Sequence, residues 1–164
     1  LPVGEVDLSN EQMKEMLGIH PRQMMSRTSL MGMLAIDQAL KEAHVDVANL
    51  KTRKPDGKPL RIVLVSGTTV GGMDITELCF DKLENQTNFE FLQHHDCGKC
   101  TQLMADYFGI FDKVTTLSTA CSSAANAIML GARLLKAGEA DLVVAGGSFS
   151  FPSQWLQLLD DSRP

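Results

Sequence analysis

The 164-residue sequence contains no apolar run close to the ~20 residues that a membrane helix needs, which argues against a membrane span. Its formal net charge of −5 argues against a general nucleic-acid binder. The one basic run, residues 51–61, has no aromatic side chain that could stack on a base, so we interpret it as a solvated loop. We therefore expect no membrane span and no nucleic-acid partner.

A secretory leader is also missing, since no charged start precedes an apolar stretch and a small-residue cleavage site. Four cysteines are present, and without a leader we expect them in the reducing cytoplasm rather than in disulfides. The first residue is Leu1 and the last is Pro164, which follows a short polar run with no closing signal. We expect the sequence to be cut at both ends.

The composition, 44% hydrophobic and 21% charged, is typical of one globular domain with a substantial core. Continuous β-branched runs alternate with amphipathic, helix-spaced segments, which predicts an α/β fold with a mainly parallel sheet. Strands are predicted at residues 61–66, 113–118 and 142–147, and helices at 10–17, 26–44, 73–92 with an interruption near 85–88, 98–108 and 124–137. Sites in such sheets lie at the carboxyl ends of strands.

Cys121 lies at one of these ends, between the strand at 113–118 and the helix at 124–137. Unpaired N–H groups and the macrodipole at a helix start favour the thiolate over the thiol. The neighbours Ala120, Ser122 and Ser123 are small, which leaves room for a ligand. A buried, inert cysteine is the competing interpretation, and the residues alone leave both open.

Two glycine-rich segments follow the other strands. Residues 67–72 lack the Gly-Lys-Ser/Thr ending of a P-loop and the spacing of a dinucleotide fingerprint, so we predict a tight strand-to-helix turn. Gly146 and Gly147 are interpreted as close backbone packing at a strand end.

The segment His94-His95-Asp96-Cys97-Gly98-Lys99-Cys100 could suggest a metal or a redox pair. A zinc site usually draws its ligands from two separated pairs, and a thioredoxin-like pair follows directly on a strand. Neither condition is met here, so we expect no metal and no cofactor, while a metal or redox module remains a weaker alternative.

Residues 118–128, 138–141 and 144–147 together resemble the β-ketoacyl-acyl carrier protein synthases. The resemblance extends to Ser26-Arg27 with the following helix, to residues 66–72 and to residues 107–109, and residues 162–164 look like the lead into that family's Arg-Pro-Phe-Asp segment. It covers nearly the whole chain but only the first half of a synthase. We therefore expect residues 1–164 to be the amino-terminal domain, truncated at both ends, with the second half absent.

The resemblance implies the thiolase fold, in which two similar α/β halves stack as layers of helix, sheet, helix, sheet and helix. It implies that Cys121 accepts an acyl group from a carrier protein, with its backbone N–H as one oxyanion donor, before a malonyl thioester is decarboxylated and condensed. Val70 matches a position that lines the acyl pocket, and Phe91 approximately matches one that reaches the pocket from the other subunit. The strand at 113–118 resembles the edge that pairs across a two-fold dimer.

The family's two catalytic histidines belong to its second half, and none of the four histidines here lies in a matching motif. The expected partners are an acyl carrier protein, which Arg22 and Arg27 are placed to meet, and a second subunit in a homodimer or related heterodimer. The alternative function is a non-catalytic scaffolding or dimerisation subunit of an acyl-carrier complex.

Overall fold

In a computed structural model, the described residues, 6–47, 50, 57–80 and 90–150, form three strands and five α-helices. The strands are β1 (Ile62–Gly67), β2 (Lys113–Leu117) and β3 (Leu142–Gly147). The helices are α1 (Asn10–Met16), α2 (Arg27–Glu42), α3 (Met73–Phe80), α4 (Cys97–Phe108) and α5 (Ser123–Lys136), and short 3-10 helices span Glu90–His94 and Ala120–Ser122. None of the helices that the structure describes combines the length and hydropathy needed to cross a bilayer.

The sheet is parallel, in the order β2-β1-β3, with β1 in the centre. All six residues of β1 are buried, as its continuous apolar run predicts for a strand covered on both faces. Gly67, the last residue of β1, is level with Leu117 on one side and Gly147 on the other. The loops that follow the three strands therefore lie at the same edge of the sheet.

Helices α1, α2 and α4 cover one face of this sheet. Leu30 and Met33 of α2 and Met104 of α4 pack with Leu64 of β1, and each is at most 2% exposed. Burying side chains of this size contributes roughly 1.5–3 kcal/mol each. The cap of α2 is Ser26, whose hydroxyl accepts from the Ser29 N–H at 3.1 Å.

Helix α5 covers the opposite face and makes close contact because its inward residues are small. Ala127 is fully buried among Val63 and Val65. At Gly131 an added Cβ would lie 2.9 Å from Val143 Cγ1, so a larger residue there would push α5 off the sheet. This close packing fixes the distance between the start of α5 and the strand ends.

The predicted α/β class and parallel sheet are confirmed, and the three strands and the helices α1, α2, α4 and α5 lie within three residues of their predicted bounds. In the region predicted as helical over 73–92 with an interruption, the structure describes α3 (Met73–Phe80) and the 3-10 helix Glu90–His94, and residues 81–89 lie outside the described residues. Helix α4 begins one residue earlier than predicted, because the Asp96 carboxylate accepts from the Gly98 N–H at 2.7 Å and caps it. The predicted interruption at 85–88, the solvated loop at 51–56 and the segment 162–164 lie outside the described residues.

Candidate functional site

A cavity of about 630 Å³ opens at the carboxyl ends of the three strands. Its walls come from the loops after β1 and β3, the first turn of α3 and the start of α5. The lining residues are Gly67, Thr68, Thr69, Val70, Met73, Ala120, Cys121, Ser123, Ala124, Gly147, Ser148 and Phe149. None of the described residues that line it is charged, so this part of the cavity favours an uncharged, largely apolar ligand.

Cys121 lies in the wall of this cavity, in the 3-10 helix Ala120–Ser122 that joins β2 to α5. The thiol belongs to an exposed residue, so the interpretation of Cys121 as a buried structural cysteine is not supported. Its backbone N–H has no acceptor among the described residues. An exposed thiol and an N–H without an acceptor among the described residues are thus contributed by one residue close to a helix start.

Two glycines allow α5 to begin against the strand ends. A Cβ added to Gly67 would lie 2.4 Å from both the carbonyl carbon and the carbonyl oxygen of Ser123. A Cβ added to Gly147 would lie 2.6 Å from the Gly67 carbonyl oxygen and 2.8 Å from Ala124 Cβ. The close packing predicted for Gly146 and Gly147 is confirmed for Gly147 and wrong for Gly146, where no described heavy atom lies within 4 Å of an added Cβ. It also applies to Gly67, so one glycine in each of β1 and β3 sets the position of Cys121 relative to the cavity.

The turn after β1 is tight, as predicted, and it forms the opposite wall. Gly71 has a left-handed φ of +52°, and a Cβ on Gly72 would collide with the His94 carbonyl. The segment that ends in His94 is thereby packed directly against Gly72, two residues after the cavity-lining Val70.

The structure brings Val70 and Cys121 to the same cavity but leaves Phe91 outside it. Phe91 lies in the 3-10 helix Glu90–His94, is 3% exposed and does not line the cavity of its own chain. The expected contribution of Phe91 to a partner subunit's pocket stays a prediction. Sequence reasoning missed Met73 and Phe149, although Met73 follows Val70 by three residues, the spacing that returns to one side of a turn.

The His94–Cys100 segment has a packing role. Cys100 is buried beside Ser26, with 3.4 Å between Sγ and Oγ, and His95 Nδ1 lies 2.9 Å from Thr76 Oγ1. Burial raises the pKa of both Cys97 and Cys100, which favours the protonated thiols. Among the described residues no three His, Cys, Asp or Glu side chains converge as metal ligands would.

The two arginines expected at a carrier-facing surface differ in their environments. The guanidinium of Arg27 donates to the carbonyls of Leu8 and Val6, both at 2.8 Å, and to Asn10 Oδ1 at 3.2 Å. It is therefore engaged in holding the amino-terminal arm, and the docking role predicted for Arg27 is not supported. Arg22 is exposed.

Asp74, one residue after the cavity-lining Met73, ties α3 to α2. Its Oδ2 accepts from the Arg27 backbone N–H at 2.7 Å, while its buried Oδ1 has no partner in the described part of the chain. Burial raises the pKa of this carboxyl above its ordinary value of 3.8, although the Arg27 N–H opposes the change. Burial also lowers the pKa of nearby His94, and Lys99 adds to that effect.

Comparison with known sequences identifies a family. Residues 3–158 match the family described as β-ketoacyl synthase, N-terminal domain. Nodulation protein E of Rhizobium meliloti (strain 1021) is 29% identical over 140 residues, which are 82% of this chain and 32% of that protein. The chain thus spans about a third of the length of this relative.

Solved structures show the same fold. The ishigamide ketosynthase/chain length factor superimposes with a TM-score of 0.68 at 18% identity, covering 84% of this chain and 34% of that one. A β-ketoacyl synthase from Burkholderia phymatum STM815 gives a TM-score of 0.66 at 16% identity, covering 96% and 37%. The thiolase-like fold expected from the sequence is confirmed.

Proposed function

The chain belongs to the β-ketoacyl synthase family, and from that membership we propose that the full-length protein is a condensing acyltransferase of fatty-acid or polyketide-type synthesis. The observation that carries the proposal is Cys121, an accessible thiol at a helix start in the wall of an uncharged cavity. Family membership supports the condensing chemistry, and the cavity supports an acyl substrate.

In the first step the Cys121 thiolate attacks the carbonyl carbon of an acyl-carrier thioester. The tetrahedral oxyanion accepts a hydrogen bond from the free Cys121 N–H, and the carrier thiolate leaves with its electron pair and takes up a proton. In the second step a malonyl-carrier thioester loses CO₂, and the resulting carbanion attacks the acyl carbon and displaces the Cys121 thiolate. The described residues supply the nucleophile and one oxyanion donor.

The second step needs groups that stabilise the negative charge formed on decarboxylation, and for this the described lining offers Thr and Ser hydroxyls but no imidazole. None of the described histidines lines the cavity. In the family the two catalytic histidines belong to the second half, so we propose that decarboxylation depends on residues beyond the present chain. The domain of residues 1–164 alone would then be inactive in condensation.

The acyl chain would lie in the cavity along Val70 and Met73. A volume of about 630 Å³ is within the range of small-molecule sites, and the apolar walls favour a hydrocarbon chain. We propose Val70 as a residue that limits the depth of the chain. Phe91 is proposed to approach the partner subunit's pocket.

The proposed partners are an acyl carrier protein and a second subunit, in a homodimer or related heterodimer. Strand β2 has its neighbour β1 on one side and, among the described residues, no strand on the other, which would suit pairing across a dimer. Arg22 remains a candidate contact for an acidic carrier. The four free thiols are in keeping with a cytoplasmic location.

The test incubates the full-length protein with an acyl-carrier thioester and locates the adduct by mass spectrometry. We expect one acyl group on Cys121 and none in Cys121→Ala, whereas Cys79→Ala, which removes another free cysteine, should label normally. No label on Cys121, or equal labelling of Cys121→Ala, would refute the proposal. Acylation without condensation when malonyl carrier protein is added would favour the scaffolding alternative.

A further inference from the structure

Three side chains close a hydrogen-bonded ring around the turn that carries Cys121. Asn126 Nδ2 donates to Thr119 Oγ1 at 2.8 Å and to Ser122 Oγ at 3.2 Å. Ser122 Oγ lies 3.2 Å from Thr119 Oγ1 and donates to the Thr119 carbonyl at 2.7 Å. The ring therefore spans from the end of β2 to the first turn of α5, with Cys121 inside the loop it closes.

This ring takes the place of an ordinary helix cap. Ser122 is the cap residue of α5, a position where a serine hydroxyl usually accepts from the first turn and stabilises the helix by ~1 kcal/mol. Here the Ser122 hydroxyl makes no such bond and turns back to Thr119. The contact that would stabilise the first turn of α5 is thus replaced by one that fixes the preceding turn. Such departures from local sequence rules are typical of functional sites.

The turn needs such support because its backbone is strained. Ala120 has a φ of +52°, a left-handed conformation that costs a non-glycine residue roughly 1–2 kcal/mol. Ser123 Oγ accepts from the Thr119 N–H at 2.9 Å and donates to the Ala120 carbonyl at 2.7 Å. The Ser123 side chain of α5 therefore holds the peptide groups on both sides of the Thr119–Ala120 unit, Ser118–Thr119 and Ala120–Cys121.

We propose that Asn126 is a positioning residue for Cys121. A planar amide has two N–H donors and can donate to two hydroxyl oxygens at once, whereas a single hydroxyl has only one donor. By fixing Thr119 against Ser122, Asn126 keeps the strained Ala120 turn in the conformation that aims the Cys121 sulfur into the cavity and leaves its N–H free. The catalytic role of Asn126 rests on the proposed acyl transfer, but the orientation of the Cys121 sulfur can be measured without that reaction.

The experiment compares two alkylating probes on the full-length protein, iodoacetamide and an iodoacetamide with a long N-alkyl chain. The small probe reaches Cys121 from any direction, whereas the long one reacts fast only when its chain enters the cavity. In Asn126→Ala we expect the ratio of long-probe to small-probe rates, and the rate of acyl transfer, to fall about tenfold, since small misplacement of a reacting group costs one to two orders of magnitude. The small-probe rate should stay within about twofold of wild type.

The matched control is Gln38→Ala, which removes a similar amide hydrogen bond, from Gln38 Nε2 to Glu42 Oε1 at 2.8 Å, on the exposed face of α2. It should leave both probe rates unchanged. Thr119→Val should reproduce Asn126→Ala, Thr119→Ser should retain the wild-type ratio, and the double variant should be no worse than either single one. If Asn126→Ala fails to fold, the Thr119 variants test the proposed positioning role instead.

A ratio within twofold of wild type in both Asn126→Ala and Thr119→Val would overturn the proposal, as would additive losses in the double variant. Failure of the proposed function has a different signature. In that case wild type would show the high probe ratio and the variants would lose it, while no protein would be acylated.

Discussion

Replacing Gly67 by alanine should displace Cys121, the proposed nucleophile, without touching it. The new Cβ would lie 2.4 Å from the Ser123 carbonyl group, whereas ordinary contacts are 3.4–4 Å. Relief requires a movement of about 1 Å, and because the obstacle is backbone no side-chain rotation can supply it. The start of α5, and Cys121 with it, has to move away from the sheet.

The size of the effect follows from that movement. Overpacking of this kind costs typically ~1–3 kcal/mol of stability. A displacement of about 1 Å at a reacting group can lower its rate by about a hundredfold. We therefore expect Gly67→Ala to unfold at lower denaturant concentration and to acylate Cys121 about a hundredfold more slowly.

Gly146→Ala is the control, since Gly146 lies one residue before Gly147 in β3 and pairs with Ser66. Within the described structure no heavy atom lies within 4 Å of a Cβ added there, so stability should change by less than about 0.5 kcal/mol. Urea unfolding and single-turnover acylation are measured for both variants. If Gly67→Ala matched Gly146→Ala in both assays, the close packing would not be what positions Cys121.

Two further predictions concern Val70, which lines the cavity, and Asp74, which follows the lining residue Met73. Val70→Phe should lower kcat/KM for long acyl chains about tenfold and leave short chains nearly unchanged; an equal loss at every chain length in acylation assays would contradict a depth-limiting role. Asp74→Asn keeps an acceptor for the Arg27 N–H but removes a carboxyl whose pKa burial raises. In the wild type the protonated carboxyl contributes stability that is complete below pH 3.8 and is lost as the pH rises through the higher folded-state pKa. In urea unfolding, the free energy of unfolding of Asp74→Asn should therefore rise relative to that of the wild type from about pH 4 upward. A difference in the free energy of unfolding that does not depend on pH would refute this assignment.

The local pattern of apolar and polar residues was sufficient to predict much of the fold. The run from Ile62 to Val65 is rich in β-branched residues and has no polar alternation, which indicates a strand covered on both faces and implies helices on each side. Parallel strands then place their following loops at one edge, which is why Cys121 and the glycine turns were expected together. These inferences need only the order of elements along the chain.

Side-chain contacts between elements could not be predicted from the local residue pattern. Arg27 follows a serine cap and looks like a surface cation, yet its guanidinium is held by carbonyls of the arm some twenty residues earlier in the chain. Likewise Asn126 has an ordinary helix position, and its role depends on the left-handed Ala120, a conformation that no propensity predicts for alanine. Such contacts follow from tertiary packing, which residue periodicity does not encode.

Helix α5 shows how the site fits the family's layered fold. Its sheet-facing residues, Ala127 and Gly131, are small, whereas Ile128, Met129 and Leu135 are 57%, 46% and 46% exposed. A surface helix has the opposite arrangement, with large apolar residues inward and polar ones outward. In a thiolase-like fold a central helical layer lies between two sheets, and α5 has the two apolar faces that such a layer requires. Because Cys121 directly precedes this helix, we expect the nucleophile to lie between the two halves of the complete enzyme, where residues from the second half can reach it.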